Sequence, residues 1–263
     1  MNRFAQIALT WIAFIVMFTV NVLANFLPIN NLNTGQVSAL YPNLFVPDGF
    51  TFSIWSVIYM WILVFTGYVT NILIWLPGVD HRYHRIVSIL PLFWLSCLLN
   101  AVWILCWHYL QIGLSLLVMV LLLITLLAIF LRMRKMPAHP RKRDHIIVEI
   151  PFIIYLGWIS VATIANASAL LVHLGWNGGA LGETTWAIIM MGVATSLGVF
   201  MSKVHNRPAF TLVIVWALWG IFRAQFNGSF TILSLVALVC MIICIGFAIP
   251  SLIQPKRGWK MTY

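Results

Sequence analysis

About eight stretches of roughly 20 apolar residues follow one another along this chain, and each is long enough to cross the hydrocarbon core of a bilayer as an α-helix. No other feature constrains the fold as much. A segment in lipid must satisfy its own backbone hydrogen bonds, which leaves helices and closed barrels. The runs do not alternate apolar with polar residues, so a barrel is excluded. The spans read as Phe4–Leu27, Thr51–Trp75, Val87–Trp107, Gln111–Leu131, Ile146–Val172, Thr184–Lys203, Pro208–Phe226 and Phe230–Ile253. Turn signals separate them at Pro77-Gly78, Met136-Pro137 with Pro140, Trp176-Asn177-Gly178-Gly179 and Asn206-Arg207-Pro208. The tightest join is Trp107 to Gln111. Of the 263 residues 62% are hydrophobic and 8% charged, against about 25% charged in a soluble domain. The expected fold is an all-α membrane protein with about eight transmembrane helices.

A net charge of +10 invites a nucleic-acid reading. The placement of the charges argues against it. Arg3 precedes the first span. Arg82 and Arg85 lie between spans two and three, and Arg132, Arg134, Lys135, Arg141, Lys142 and Arg143 between spans four and five. Lys203 and Arg207 separate spans six and seven, and Lys256, Arg257 and Lys260 follow the last. With eight spans, all of these share one side, whereas the opposite loops carry Asp48 and Glu183 and no Lys or Arg. Cations are retained on the cytoplasmic side, so both termini are expected there. An odd span count would destroy the segregation. The first run, at about 20 residues, exceeds the 7–15 typical of a signal peptide's apolar core and is expected to be retained.

Little points to catalysis. There is no nucleophilic triad, P-loop or HExxH. Cys97, Cys106, Cys240 and Cys244 lie inside apolar runs and read as small packing residues. His81, His84, His139, His145 and His205 sit in or near the cationic loops, and His108 and His173 near the other face, none paired at ligand spacing. Glu149 is expected to pair with Arg141 or its neighbours, with a proton-coupled role as the alternative. Arg223, in the outer half of span seven, either snorkels to the outer headgroups or pairs with Asp48, Glu183 or the carboxylate of a bound ligand.

Of the 13 tryptophans, Trp75, Trp107, Trp176, Trp186 and Trp259 fall at span ends, where indoles anchor to the headgroup layer. Others fall on stripes. Trp55 and Tyr59 are i,i+4 on span two, Asn100 and Trp103 are i,i+3 on span three, and Tyr155, Trp158, Ala162 and Asn166 run along span five. Asn in a span faces protein or a cavity rather than lipid. At about 1.5 Å per residue, these positions fall in the middle or outer half of their spans. They could line a chamber for a large, flat, mostly apolar ligand, or be ordinary helix packing with interhelical hydrogen bonds.

At these positions the chain resembles the TspO/MBR family, the tryptophan-rich sensory proteins that include the translocator protein. Three segments carry the resemblance in the family's order: Pro47 with Phe52-Ser53-Ile54-Trp55 and Tyr59, Leu99-Asn100-Ala101-Val102-Trp103, and Gly157-Trp158 through Ala162-Thr163 to Asn166. The chain departs at Ile154-Tyr155, where the family has Pro-Tyr, and at Ile104 and Leu105, where it has prolines. The resemblance implies a TspO-like five-helix bundle over residues 1–175 and a three-helix extension over residues 176–263. It implies a porphyrin-binding pocket, a long loop at residues 30–50 that covers it, and a homodimer in some members. Carried over by motif, the ligand-binding residues are Trp55, Tyr59, Asn100, Trp103, Trp158, Ala162 and Asn166.

The expected function is a membrane receptor or sensor that binds a tetrapyrrole or another flat hydrophobic small molecule, and the ligand carboxylate open to Arg223 is that of a bound tetrapyrrole. No cofactor is required, and the expected partners are that ligand and the lipid bilayer. A small-solute transporter using all eight spans is the alternative. The inside-positive bias favours a bacterial plasma membrane.

Overall fold

The structure, a computed structural model, describes residues 1–26, 29–76, 78–135, 142–176, 178–226 and 232–253. Among the described residues, eight helices are long and apolar enough to cross a membrane. They are α1 (Arg3–Phe26), α3 (Ile54–Trp75), α4 (His81–His108), α5 (Ile112–Arg134), α6 (Lys142–His173), α7 (Gly182–Lys203), α8 (Pro208–Phe226) and α9 (Ile232–Ile253), with a short α2 (Thr34–Ala39) in the first connection. The expected span ends Leu27 and Phe230, the breakers Pro77, Met136, Pro137, Pro140 and Asn177, and the residues His139, Arg141, Lys256, Arg257, Trp259 and Lys260 lie outside the described residues.

Two helices are longer than their apolar runs. α4 begins at His81, where the Asp80 carboxylate accepts a hydrogen bond from the Arg82 amide at 2.7 Å, so a capping residue starts the helix ahead of its apolar stretch. The hydrogen-bonded Arg82 side chain holds the Asp80 carboxyl below its usual range. α6 begins at Lys142 with Asp144 in its first turn, a favourable place for an acid beside the helix N-terminus.

The chain forms two compact units that interleave along the sequence. The first comprises Met1–Thr34 and Trp55–Tyr155, the second Gly35–Ile54 and Leu156–Tyr263.

In the first unit α4 packs against both α1 and α5. Phe65, Phe93 and Phe152 form an edge-to-face core with centroids 4.9–6.2 Å apart. Hydroxyls in the spans are satisfied locally: Thr66 donates to the Ile62 carbonyl at 2.9 Å and Thr125 to Leu121 at 2.8 Å. Two indoles bridge helices through threonines, Trp11 to Thr70 at 2.9 Å and Trp94 to Thr10 at 3.0 Å. The tight join between α4 and α5 closes because Leu110 adopts a left-handed φ of 58°, which lets the Gln111 amide reach the Cys106 carbonyl at 2.9 Å. Beside it His108 is fully buried, its Nε2 3.2 Å from the Thr34 hydroxyl and its Nδ1 3.2 Å from the Ile29 carbonyl. Both ring nitrogens are thus engaged within the first unit.

Arg85, expected in a loop, is instead buried one turn into α4. Its Nη2 donates to Glu149 at 2.7 Å and to the Met133 carbonyl at 3.3 Å. His145 Nδ1 lies 2.9 Å from the other Glu149 oxygen. Glu149 thus pairs with Arg85 and His145. Removing one partner of a buried ion pair strands the other charge, whereas removing both does not. Arg85→Met should therefore destabilise the protein, by less than the about 3–5 kcal/mol of a fully stranded charge because His145 stays beside Glu149, and adding Glu149→Leu should recover most of the loss. Reversible unfolding in detergent measures both; a double variant as unstable as the single one would contradict this.

In the second unit α7, α8 and α9 pack on one another. Thr211 donates to the Gly198 carbonyl at 2.7 Å and lies 2.6 Å from the Ser202 hydroxyl. α6 and α8 approach closely at Gly157, where a Cβ would sit 3.2 Å from the Phe210 carbonyl oxygen and Val213. Cys240 and Cys244 are buried and unbridged.

Candidate functional site

Near-parallel rings on α3 and α4 form a ladder in the first unit. Trp55 stacks on Tyr59 with centroids 5.5 Å apart and an interplanar angle of 14°. Trp55 and Trp103 follow at 5.8 Å and 30°, then Trp103 and Trp107 at 6.2 Å and 23°. Helical spacing produces the ladder. Trp55 and Tyr59 are one turn apart on α3, as are Trp103 and Trp107 on α4, so each pair points the same way. Tyr155 closes one side, edge-on to Trp55 at 6.0 Å, and Phe18 sits edge-on to Tyr59 at 6.0 Å.

A chain of amides ties the helices together beside the rings. Asn21 Nδ2 on α1 donates to Asn100 Oδ1 on α4 at 2.7 Å, and Asn100 Nδ2 donates to the Tyr155 hydroxyl on α6 at 2.7 Å. Asn21 also donates to the Met17 carbonyl at 2.9 Å. Asn21, Asn100 and Tyr155 are 3%, 0% and 1% exposed, so the chain lies entirely inside protein, where an unmade hydrogen bond is costly. Trp103, 4% exposed, has no hydrogen-bond partner for its indole N–H among the described residues. It is a buried donor on one of the ladder rings.

Of the residues singled out in the sequence, Trp55, Tyr59, Asn100 and Trp103 come together in this unit. Trp158, Ala162 and Asn166 belong to the second unit and lie one helical turn apart along α6. There Trp158 is buried and packs edge-on against Phe52 at 6.1 Å, and Asn166 is buried as well. Two members of the hydrogen-bonded chain were absent from the expected ligand set: Asn21, an amide near the C-terminal end of α1, and Tyr155. Trp107, expected as an interface anchor, is buried at 5% exposure, and its indole donates to the Thr34 carbonyl at 3.2 Å.

The first connection is held to α8 within the second unit. The Asp48 amide donates to the Gly220 carbonyl at 3.0 Å, Trp216 Nε1 to the Thr51 carbonyl at 2.9 Å, and Gln225 Nε2 to the Leu44 carbonyl at 3.1 Å. Gly220 is required by this approach, because Thr51 and Pro47 occupy the space a Cβ would need. Arg223 Nη2 lies 3.4 Å from Asp48, and its guanidinium sits over the Trp219 ring at 5.0 Å and the Phe50 ring at 5.8 Å.

Asn100→Leu should cost about 2–3 kcal/mol, since it strands both the Asn21 amide and the Tyr155 hydroxyl in an apolar interior. Thermal unfolding in detergent reads this directly, and an unchanged midpoint would mean that the chain does not hold the helices.

A family model described as TSPO-like protein matches residues 6–250. No curated protein and no solved structure matches the chain.

Proposed function

Because the chain belongs to the TSPO-like protein family, we propose that this multi-pass membrane protein is a receptor or sensor for a flat hydrophobic ligand of the tetrapyrrole class, held on the aromatic ladder of the first unit. The observation that carries this reading is the ladder itself. Tyr59, Trp55, Trp103 and Trp107 form a buried series of near-parallel rings, and offset stacking on such faces contributes about 0.5–1.5 kcal/mol per ring pair beyond area burial. The indole N–H of Trp103, without a partner among the described residues, supplies one polar fixing point. The rings are closed on one another, with Trp55 and Tyr59 each 7% exposed, so a ligand enters by displacing a ring rather than filling a standing void. Such coupling between occupancy and ring position is what a sensor requires.

In the second unit, the family resemblance assigns Trp158, Ala162 and Asn166 to ligand contact. Within the second unit, Arg223 is already held by Asp48 at 3.4 Å. We place both termini in the cytoplasm of a bacterial plasma membrane, from the segregation of Lys and Arg. A homodimer is compatible with this reading, and no catalytic step is part of it.

Protoporphyrin IX titrated into the detergent-solubilised protein should quench tryptophan emission saturably. Trp103→Phe keeps a ring but removes the indole donor, and should weaken binding roughly fivefold to tenfold. Trp158→Ala tests the second-unit residues separately. Quenching that never saturates, or that is identical in Trp55→Ala and Trp103→Phe, would count against the proposal.

A further inference from the structure

The acidic residues of this chain are few, and most have a cation. Asp80 pairs with Arg82, Glu149 with Arg85, and Asp48 with Arg223. Glu183, in the first turn of α7, has no ion pair among the described residues. It lines a notch in the second unit with Asn43, Leu44, Ser168, Val172, Trp176 and Trp186. The notch has an empty volume of about 270 Å³, including the solvent at its mouth.

The walls have a definite chemistry. Trp176 and Trp186 meet edge to face, with centroids 5.2 Å apart and planes at 73°, so two indoles enclose a corner. Ser168 is 2% exposed; its hydroxyl donates to the Ile164 carbonyl at 3.1 Å and accepts the Trp186 indole N–H at 3.3 Å. That hydrogen bond fixes the Trp186 ring. Leu44 and Val172 make an apolar flank. A carboxylate without a cation, beside two indoles and an apolar wall, attracts a cation that carries a hydrocarbon stem. The polar lining narrows the class, because the Glu183 carboxylate and the Ser168 hydroxyl oxygen are acceptors. They suit an –NH3+ group, which has three donors, better than a quaternary head, which has none.

We propose that this notch binds a primary alkylammonium group, with Glu183 as its counter-charge, the indoles of Trp176 and Trp186 around it and its stem along Leu44 and Val172. The same chemistry occurs in a free amine and in the ethanolamine headgroup of a phospholipid. The site is separate from the aromatic ladder and does not rest on the tetrapyrrole proposal.

The test uses full-length protein carrying 5-fluorotryptophan, in nanodiscs of phosphatidylglycerol, titrated with butylammonium chloride at constant ionic strength and followed by 19F NMR. Trp176→Phe and Trp186→Phe assign the two resonances. Both should shift saturably, with a midpoint at least about tenfold higher in Glu183→Gln, while the other tryptophan lines of that variant report an intact fold. Repeating the titration in discs containing phosphatidylethanolamine identifies the source: a raised midpoint means that the lipid headgroup is the occupant, and an unchanged midpoint a free amine. No saturable shift in phosphatidylglycerol discs, an equal midpoint in Glu183→Gln, or an equal response to tetramethylammonium would overturn the assignment.

Discussion

The hydrogen-bonded chain from Asn21 through Asn100 to Tyr155 is the interaction on which the first unit depends. In hydrocarbon, an Asn side chain that finds no partner is costly, and water is not there to replace one. Asn100 meets this constraint with one neighbour on α1 and one on α6, both at 2.7 Å. Three helices are thereby fixed at one height. Apolar packing alone would not do this, because lipid tails are as apolar as leucine and give helices little reason to choose one register over another. α3 is not part of this hydrogen-bonded chain; it joins through its rings, with Trp55 against Trp103 of α4 and the Tyr155 ring at the edge of Trp55.

Polar side chains elsewhere obey the same rule. Hydroxyls bond back to their own helix, indoles of α1 and α4 reach threonines, and the buried Arg85 guanidinium is matched by a carboxylate and a carbonyl. The second unit uses a different device. Its loop segment lies on α8 through backbone and indole hydrogen bonds, with Gly220 leaving room for Thr51. The family match, over residues 6–250, takes in α7, α8 and most of α9 as well as the earlier helices.

The sequence made the eight spans legible because hydropathy in runs of about 20 residues is a strong local signal. It also made the ring stripes legible, since positions one turn apart share a face whatever the tertiary structure. Trp55, Tyr59, Asn100 and Trp103 could be drawn toward one place on that basis. Partners were not legible. Nothing near Asn100 in sequence indicates that its amide is answered by Asn21, 79 positions away, or by Tyr155, 55 positions away. Arg85 read as a loop cation because the capped first turn of α4 is polar and falls outside the apolar run. Trp107 read as an anchor because its position at a span end says nothing about the Thr34 carbonyl that packs over it. In each case the missing information is a long-range contact.

The central claim is that the ladder of the first unit is where a flat ligand binds. A structure of the protein bound to protoporphyrin IX tests this most directly. The account predicts the macrocycle stacked against Trp55 or Trp103, with one of the ladder rings displaced and the Asn21–Asn100–Tyr155 chain intact. A macrocycle bound elsewhere, with the four rings still closed on one another, would contradict it.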